Sequence, residues 1–107
     1  MNKQKNKKPK KTEVSIIIIS YNVRKYLIKC IESILLHTKI KFKYEIIVID
    51  NNSNDNTERE VKKRYPLINY IQNQENIGFT RAINQGIDIA KGRYIFQLNP
   101  DTELLED

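Results

Sequence analysis

Apolar residues cluster in short blocks along this chain, and nearly every block is closed by polar ones. The stretch Val14–Asn22, VSIIIISYN, places four consecutive isoleucines before Ser20, Tyr21 and Asn22. A β-branched run of this length predicts a strand covered on both faces, as in a parallel sheet packed between helices. Over Val23–Thr38 the period changes. Leu27, Cys30, Ile31, Ile34, Leu35 and Thr38 recur at steps of three and four, which predicts a helix with one buried stripe. Asn22 is its expected N-cap, and Cys30 lies within the stripe as a packing residue. His37 falls in the last turn, where an imidazolium suits the helix dipole.

After the basic linker Lys39–Lys43, Tyr44–Ile49 reads as a second strand. It runs into Asp50-Asn51-Asn52-Ser53-Asn54-Asp55-Asn56, and side chains of these types compete for the local backbone and predict an irregular loop. A weakly amphipathic helix is expected over Thr57–Tyr65, with Val61 and Tyr65 inward and Pro66 stopping it. Leu67–Gln72 is a less apolar third strand, suited to a sheet edge. Phe79, Ala82, Ile83, Gly86, Ile87 and Ala90 mark a third helix, Phe79–Lys91, with Gly92 as its C′ residue. Arg93–Leu98 is a fourth strand, closed by Asn99-Pro100-Asp101, and Leu104 and Leu105 begin a further element. Alternating strands and helices imply βαβ units with right-handed crossovers.

Composition changes this picture in one place. The 107 residues carry a net charge of +6, but six lysines fall within residues 1–11, which hold no acid. The remaining 13 basic residues equal the 13 acids, so the basicity belongs to a tail. Residues 1–12 are expected to be a disordered tail, too polar to offset the entropy of ordering. Such a tail can also meet an anionic membrane surface. No apolar run is long enough for a signal peptide or a membrane span, and the single cysteine allows no internal disulfide. A cytoplasmic location follows as an expectation, peripheral to the inner face of the membrane if the tail engages lipid.

Three of the four strands end in polar clusters, and in a parallel sheet those ends share one edge, where α/β proteins bind ligands. No G-x-x-x-x-G-K-[ST] loop is present and no G-x-G-x-x-G follows the first strand, so phosphates would need a metal ion held by carboxylates. Asp101 is placed for that, Asp50 for hydrogen bonds from a base or ribose, and Tyr21 for stacking on a base.

Taken in order, VSIIIISYN, YEIIVIDNNSNDNT and NQENIGFTRAINQGIDIAKGRYIFQLNPDTEL resemble the N-terminal, nucleotide-sugar-binding half of family 2 glycosyltransferases, over about Glu13 to Leu105. The resemblance implies a truncated GT-A, Rossmann-like α/β fold: three layers, a mostly parallel sheet in order 3-2-1-4, and helices on both faces. Helices Val23–Thr38 and Phe79–Lys91 should then cover opposite faces, with residues 13–107 as the nucleotide-sugar-binding part. The implied reaction is transfer of a hexosyl or rhamnosyl group from a UDP- or dTDP-linked sugar to a glycan or lipid-linked acceptor in polysaccharide synthesis. Ser20, Tyr21, Asn22, Asp50, Asn52, Asn76, Gly78 and Arg81 would line the nucleotide site. Tyr21 would lie against the base and Asp50 would accept its ring N–H.

Asp101 matches the last acid of the family's D-x-D signature and would hold Mg²⁺ or Mn²⁺ across the diphosphate. Asn99 replaces the first acid and removes a charge from that site, although the form N-P-D-T resembles rhamnosyl-type transferases. The acceptor half that supplies the catalytic base lies beyond the matched segment, so donor binding is expected without strong catalysis. Two other classes compete. A non-catalytic, receiver-like signalling domain would need paired acids after the first strand, and a nucleic-acid binder would act through the lysine tail; specific nucleic-acid recognition is not expected.

Overall fold

The computed structural model describes residues 11–38 and 43–103; most of the lysine tail, residues 39–42 of the linker and Leu104 and Leu105 lie outside them. Seven elements follow in order: β1 Val14–Ser20, α1 Arg24–His37, β2 Tyr44–Asp50, α2 Thr57–Arg64, β3 Asn69–Gln72, α3 Phe79–Ile89 and β4 Tyr94–Leu98. All pairings are parallel and the sheet order is β3-β2-β1-β4. The expected architecture is therefore present, with β1 central and β3 at an edge.

Strand alternation divides the core in two. Ile16, Ile18, Ile46 and Val48 point to one face and pack with Leu27, Cys30, Ile31 and Ile34 of α1 and Val61 of α2. Ile17, Ile47 and Ile49 point to the other face and meet Ala82 of α3. Helices α1 and α3 thus cover opposite faces, as expected.

Several local expectations are corrected. Asn22 is not the N-cap of α1. It adopts φ 53°, Val23 takes the cap position without a side-chain bond, and the first helical N–H, on Arg24, donates to Asp55 Oδ2 at 3.2 Å. Leu35 is exposed at the margin of the α1 stripe. Leu67 precedes β3 and is 99% exposed. In α3, Ile87 and Phe79, the latter in the first turn, are both exposed.

Gly92 does not form a left-handed cap, because α3 ends at Ala90 in extended backbone and only Gly78 among the described glycines has positive φ. Gly92 is required by proximity instead: a Cβ there would stand 2.5 Å from Ser15 N. Its N–H donates to Ser15 Oγ at 2.7 Å, and Ser15 Oγ donates to Glu45 Oε2 at 2.6 Å. These bonds hold the α3–β4 turn against the amino ends of β1 and β2. Along β4, Tyr94, Ile95 and Phe96 are exposed, so this edge carries apolar side chains uncovered by the described residues.

Candidate functional site

The carboxyl ends of the strands form one rim. Ser20 pairs with Asp50 and Asp50 with Gln72, while β4 leaves the sheet earlier, at the level of Ile18 opposite Leu98. The polar clusters after β1, β2 and β4 therefore open along one end of the sheet, as their spacing predicts.

On the β2 side the loop is tied down at almost every residue. Asn22, Asn52 and Asn56 all have positive φ, a conformation that asparagine tolerates better than other side-chain-bearing residues. Asn22 N–H donates to Ser53 Oγ and Asn54 N–H to Asn22 Oδ1, each at 2.8 Å. Asp55 receives Arg24 N–H and Thr57 Oγ1, and its carbonyl receives Arg24 Nη1 at 2.9 Å. Burial pushes the Asp55 carboxyl up, but these hydrogen bonds prevail and hold it below the ordinary carboxylate value.

The carboxylate of Asp50 is engaged within the protein. It is fully buried. One carboxylate oxygen accepts Ser53 N–H at 2.7 Å and the other accepts the Tyr70 hydroxyl. Its position in the strand is in phase with Ile46 and Val48, so it points down onto the α1/α2 face, where Tyr70 lies. Burial, and then the Asp50 carboxylate, push the Tyr70 hydroxyl far above its ordinary pKa. Asp50 therefore anchors the Asn51–Ser53 turn from beneath rather than facing the opening.

Ser20 is likewise buried, and its Oγ has no hydrogen-bond partner among the described residues.

Tyr21 is 50% exposed. Asn52, Asn76, Gly78, Arg81, Asn99 and Asp101 are also exposed. Asn76 Oδ1 accepts Gly78 N–H at 2.9 Å, closing the turn before α3. Asp101, Asn99 and Pro100 border a cleft of about 480 Å³ with Val23 and Tyr26, on the α1 side of the rim. Cys30 lies below this loop. Its burial, and then the charge of Asp101, raise its thiol to about 11, so it is a core residue rather than a nucleophile.

The sequence pattern did not single out Asn51, Asn73 or Tyr70. Asn51 is almost fully buried, and its side chain bridges Gly78 and Asn73. The available signal was the same for Asn73 as for Asp50, a polar residue directly after a strand.

Among the described residues no three His, Cys, Asp or Glu side chains gather as a metal cage. A divalent ion shared with a substrate diphosphate needs only one or two protein carboxylates. Exposed Asp101, with the Asn99 amide nearby, fits as the protein's share of such a site and not as a self-sufficient one. No helix among the described residues is long and apolar enough to cross a membrane.

A family model described as Glycosyl transferase family 2 matches residues 15–107. The chondroitin synthase of Escherichia coli is 36% identical over 97 residues, which are 88% of this chain and 14% of that protein. The structure of S. aureus TarS 1–349 in complex with UDP-GlcNAc superposes with a TM-score of 0.75 at 27% identity, covering 84% of this chain and 27% of that one. The mannosyltransferase PcManGT from Pyrobaculum calidifontis, in complex with GDP-Man and Mn²⁺, gives a TM-score of 0.74 at 23% identity, covering 92% and 32%. That last likeness bears on the fold alone. This chain spans less than a third of each of these proteins.

Proposed function

The chain belongs to glycosyl transferase family 2, and from that premise we propose that it is the donor-binding part of a metal-assisted transferase. It takes a sugar from a UDP- or dTDP-linked hexose for a glycan or lipid-linked acceptor. The observation that carries this reading is the division of the rim. The loop after β2 is held by hydrogen bonds, while Asn52 within it, and Tyr21, Arg81 and Asp101 elsewhere, are exposed. The N-P-D form favours a rhamnosyl or related hexosyl donor, and the UDP-GlcNAc complex of TarS favours a uridine nucleotide.

In this reading Tyr21 offers its ring to the base, Asn52 and Asn76 offer amides to base or ribose, and Arg81 meets phosphate charge. Asp50 acts through the turn it anchors. Asp101, with Asn99 nearby, would hold Mg²⁺ or Mn²⁺, which when bound would neutralise charge on the diphosphate leaving group. The lysine-rich tail contacts anionic lipid at the cytoplasmic face of the membrane. The receiver-like alternative lacks its paired acids, because Ser20, Tyr21 and Asn22 occupy that place.

Calorimetry of the 107-residue chain with UDP tests the proposal. Saturable binding in Mn²⁺ that weakens at least about tenfold in a chelator is the expected result. Absence of binding with Mn²⁺ and Mg²⁺ present would overturn it.

A further inference from the structure

The α3 helix meets the sheet through Ala82 and Gly86, the latter close against Ile17, with Ile83, Ile89 and Ala90 at its margins. Apolar packing is non-directional, so it does not by itself fix how far the first turn of α3 stands above the rim. A chain of side-chain amides does. Asn73 and Gln85 exchange two hydrogen bonds, Asn73 Nδ2 to Gln85 Oε1 and Gln85 Nε2 to Asn73 Oδ1, both 2.8 Å. Asn73 Nδ2 also donates to Asn51 Oδ1 at 3.0 Å, and Asn51 Nδ2 donates to Gly78 O at 3.2 Å.

Gly78 O is also the acceptor of the first helical bond, from Ala82 N–H at 3.3 Å. Backbone bonds complete the frame: Asn51 N–H to Ser20 O and Asn73 N–H to Asp50 O, each 2.8 Å. Gly78 itself adopts φ 86° and ψ 168°, a region essentially reserved for glycine. Nothing lies within 4 Å of a Cβ built there, so its conformation and not its space demands glycine.

We propose that Asn51, Asn73 and Gln85 form an amide clamp that positions the Gly78 turn, and with it Asn76 and Arg81, for the nucleotide. The proposal rests on the donor-binding reading above. The three are positioning residues: both amide groups of Asn51 and Asn73 are engaged within the protein, leaving Asn76 and Arg81 to face outward. Amides suit the task because each link needs a donor and an acceptor on one neutral group.

The test is a graded pair of variants in the 107-residue chain. Gln85→Leu keeps the size and removes both bonds to Asn73, whereas Gln85→Glu keeps the acceptor alone. Amide hydrogen exchange in the ligand-free protein is the first readout. Exchange at the hydrogen-bonded Gly78 and Ala82 amides should rise about tenfold in Gln85→Leu and less in Gln85→Glu, with core amides of β1 and β2 unchanged. UDP affinity in Mn²⁺ should fall in the same order, by about tenfold and about threefold.

Unchanged exchange at both the Gly78 and Ala82 amides in both variants would overturn the clamp. Faster exchange with unaltered UDP affinity would overturn its positioning role. If the unaltered chain binds no UDP, the donor-binding reading fails, while the exchange measurement still decides whether the clamp exists.

Discussion

The two sides of the sheet's carboxyl rim are similar in residue type and opposite in construction. On the β2 and β3 side, Asp50, Asn51, Ser53, Asp55 and Asn73 each have side-chain atoms bonded within the protein. On the β4 side the Asn99–Asp101 segment makes one backbone turn bond, Thr102 N–H to Asn99 O, and Asn99 Oδ1 receives Gln97 Nε2. The carboxylate of Asp101 stays exposed. Two strand-end acids, Asp50 and Asp101, thus divide the work. One is engaged in shaping the rim, and the other stays exposed.

The sharpest break of this comparison is Asp50→Ala. Removing the carboxylate leaves the buried Tyr70 hydroxyl and Ser53 N–H without their acceptor, a loss of about 3 kcal/mol in denaturant unfolding. A change below 0.5 kcal/mol would erase the distinction between the two acids.

A smaller effect is expected at Asp55, whose carboxylate caps α1 from a different loop. Asp55→Ala should cost about 1 kcal/mol at neutral pH. Its folded-state pKa is lowered, so the stabilisation is fully present above the unfolded value of about 3.9 and disappears as pH falls through the folded one. Stability curves of the two proteins should therefore converge in acid below about pH 4, and curves that stay parallel down to pH 2 would contradict the cap.

Periodicity made much of this legible. The isoleucine run of β1, the helical stripes and the polar strand ends point to a parallel α/β sheet with covered faces, while the order β3-β2-β1-β4 is what the family resemblance implies. What the pattern does not carry is the partner of each polar group. Asp50 and Asp101 both follow apolar strands, and only three-dimensional packing places the Tyr70 hydroxyl beneath one of them. Asn51 is one of several asparagines in a run that reads simply as a loop, yet it is buried and Asn52 beside it is not. Gly92 fits the spacing of a helix cap, but its requirement comes from Ser15, far away in sequence.

The central claim is that the open side of the rim is reserved for ligand, and Asp101→Asn tests it most directly. UDP affinity in Mn²⁺ and unfolding free energy should be measured on the same samples. The expected result is affinity at least about tenfold weaker with stability within about 0.5 kcal/mol of the unaltered chain. Unchanged affinity, or a loss of stability comparable to that of Asp50→Ala, would contradict it.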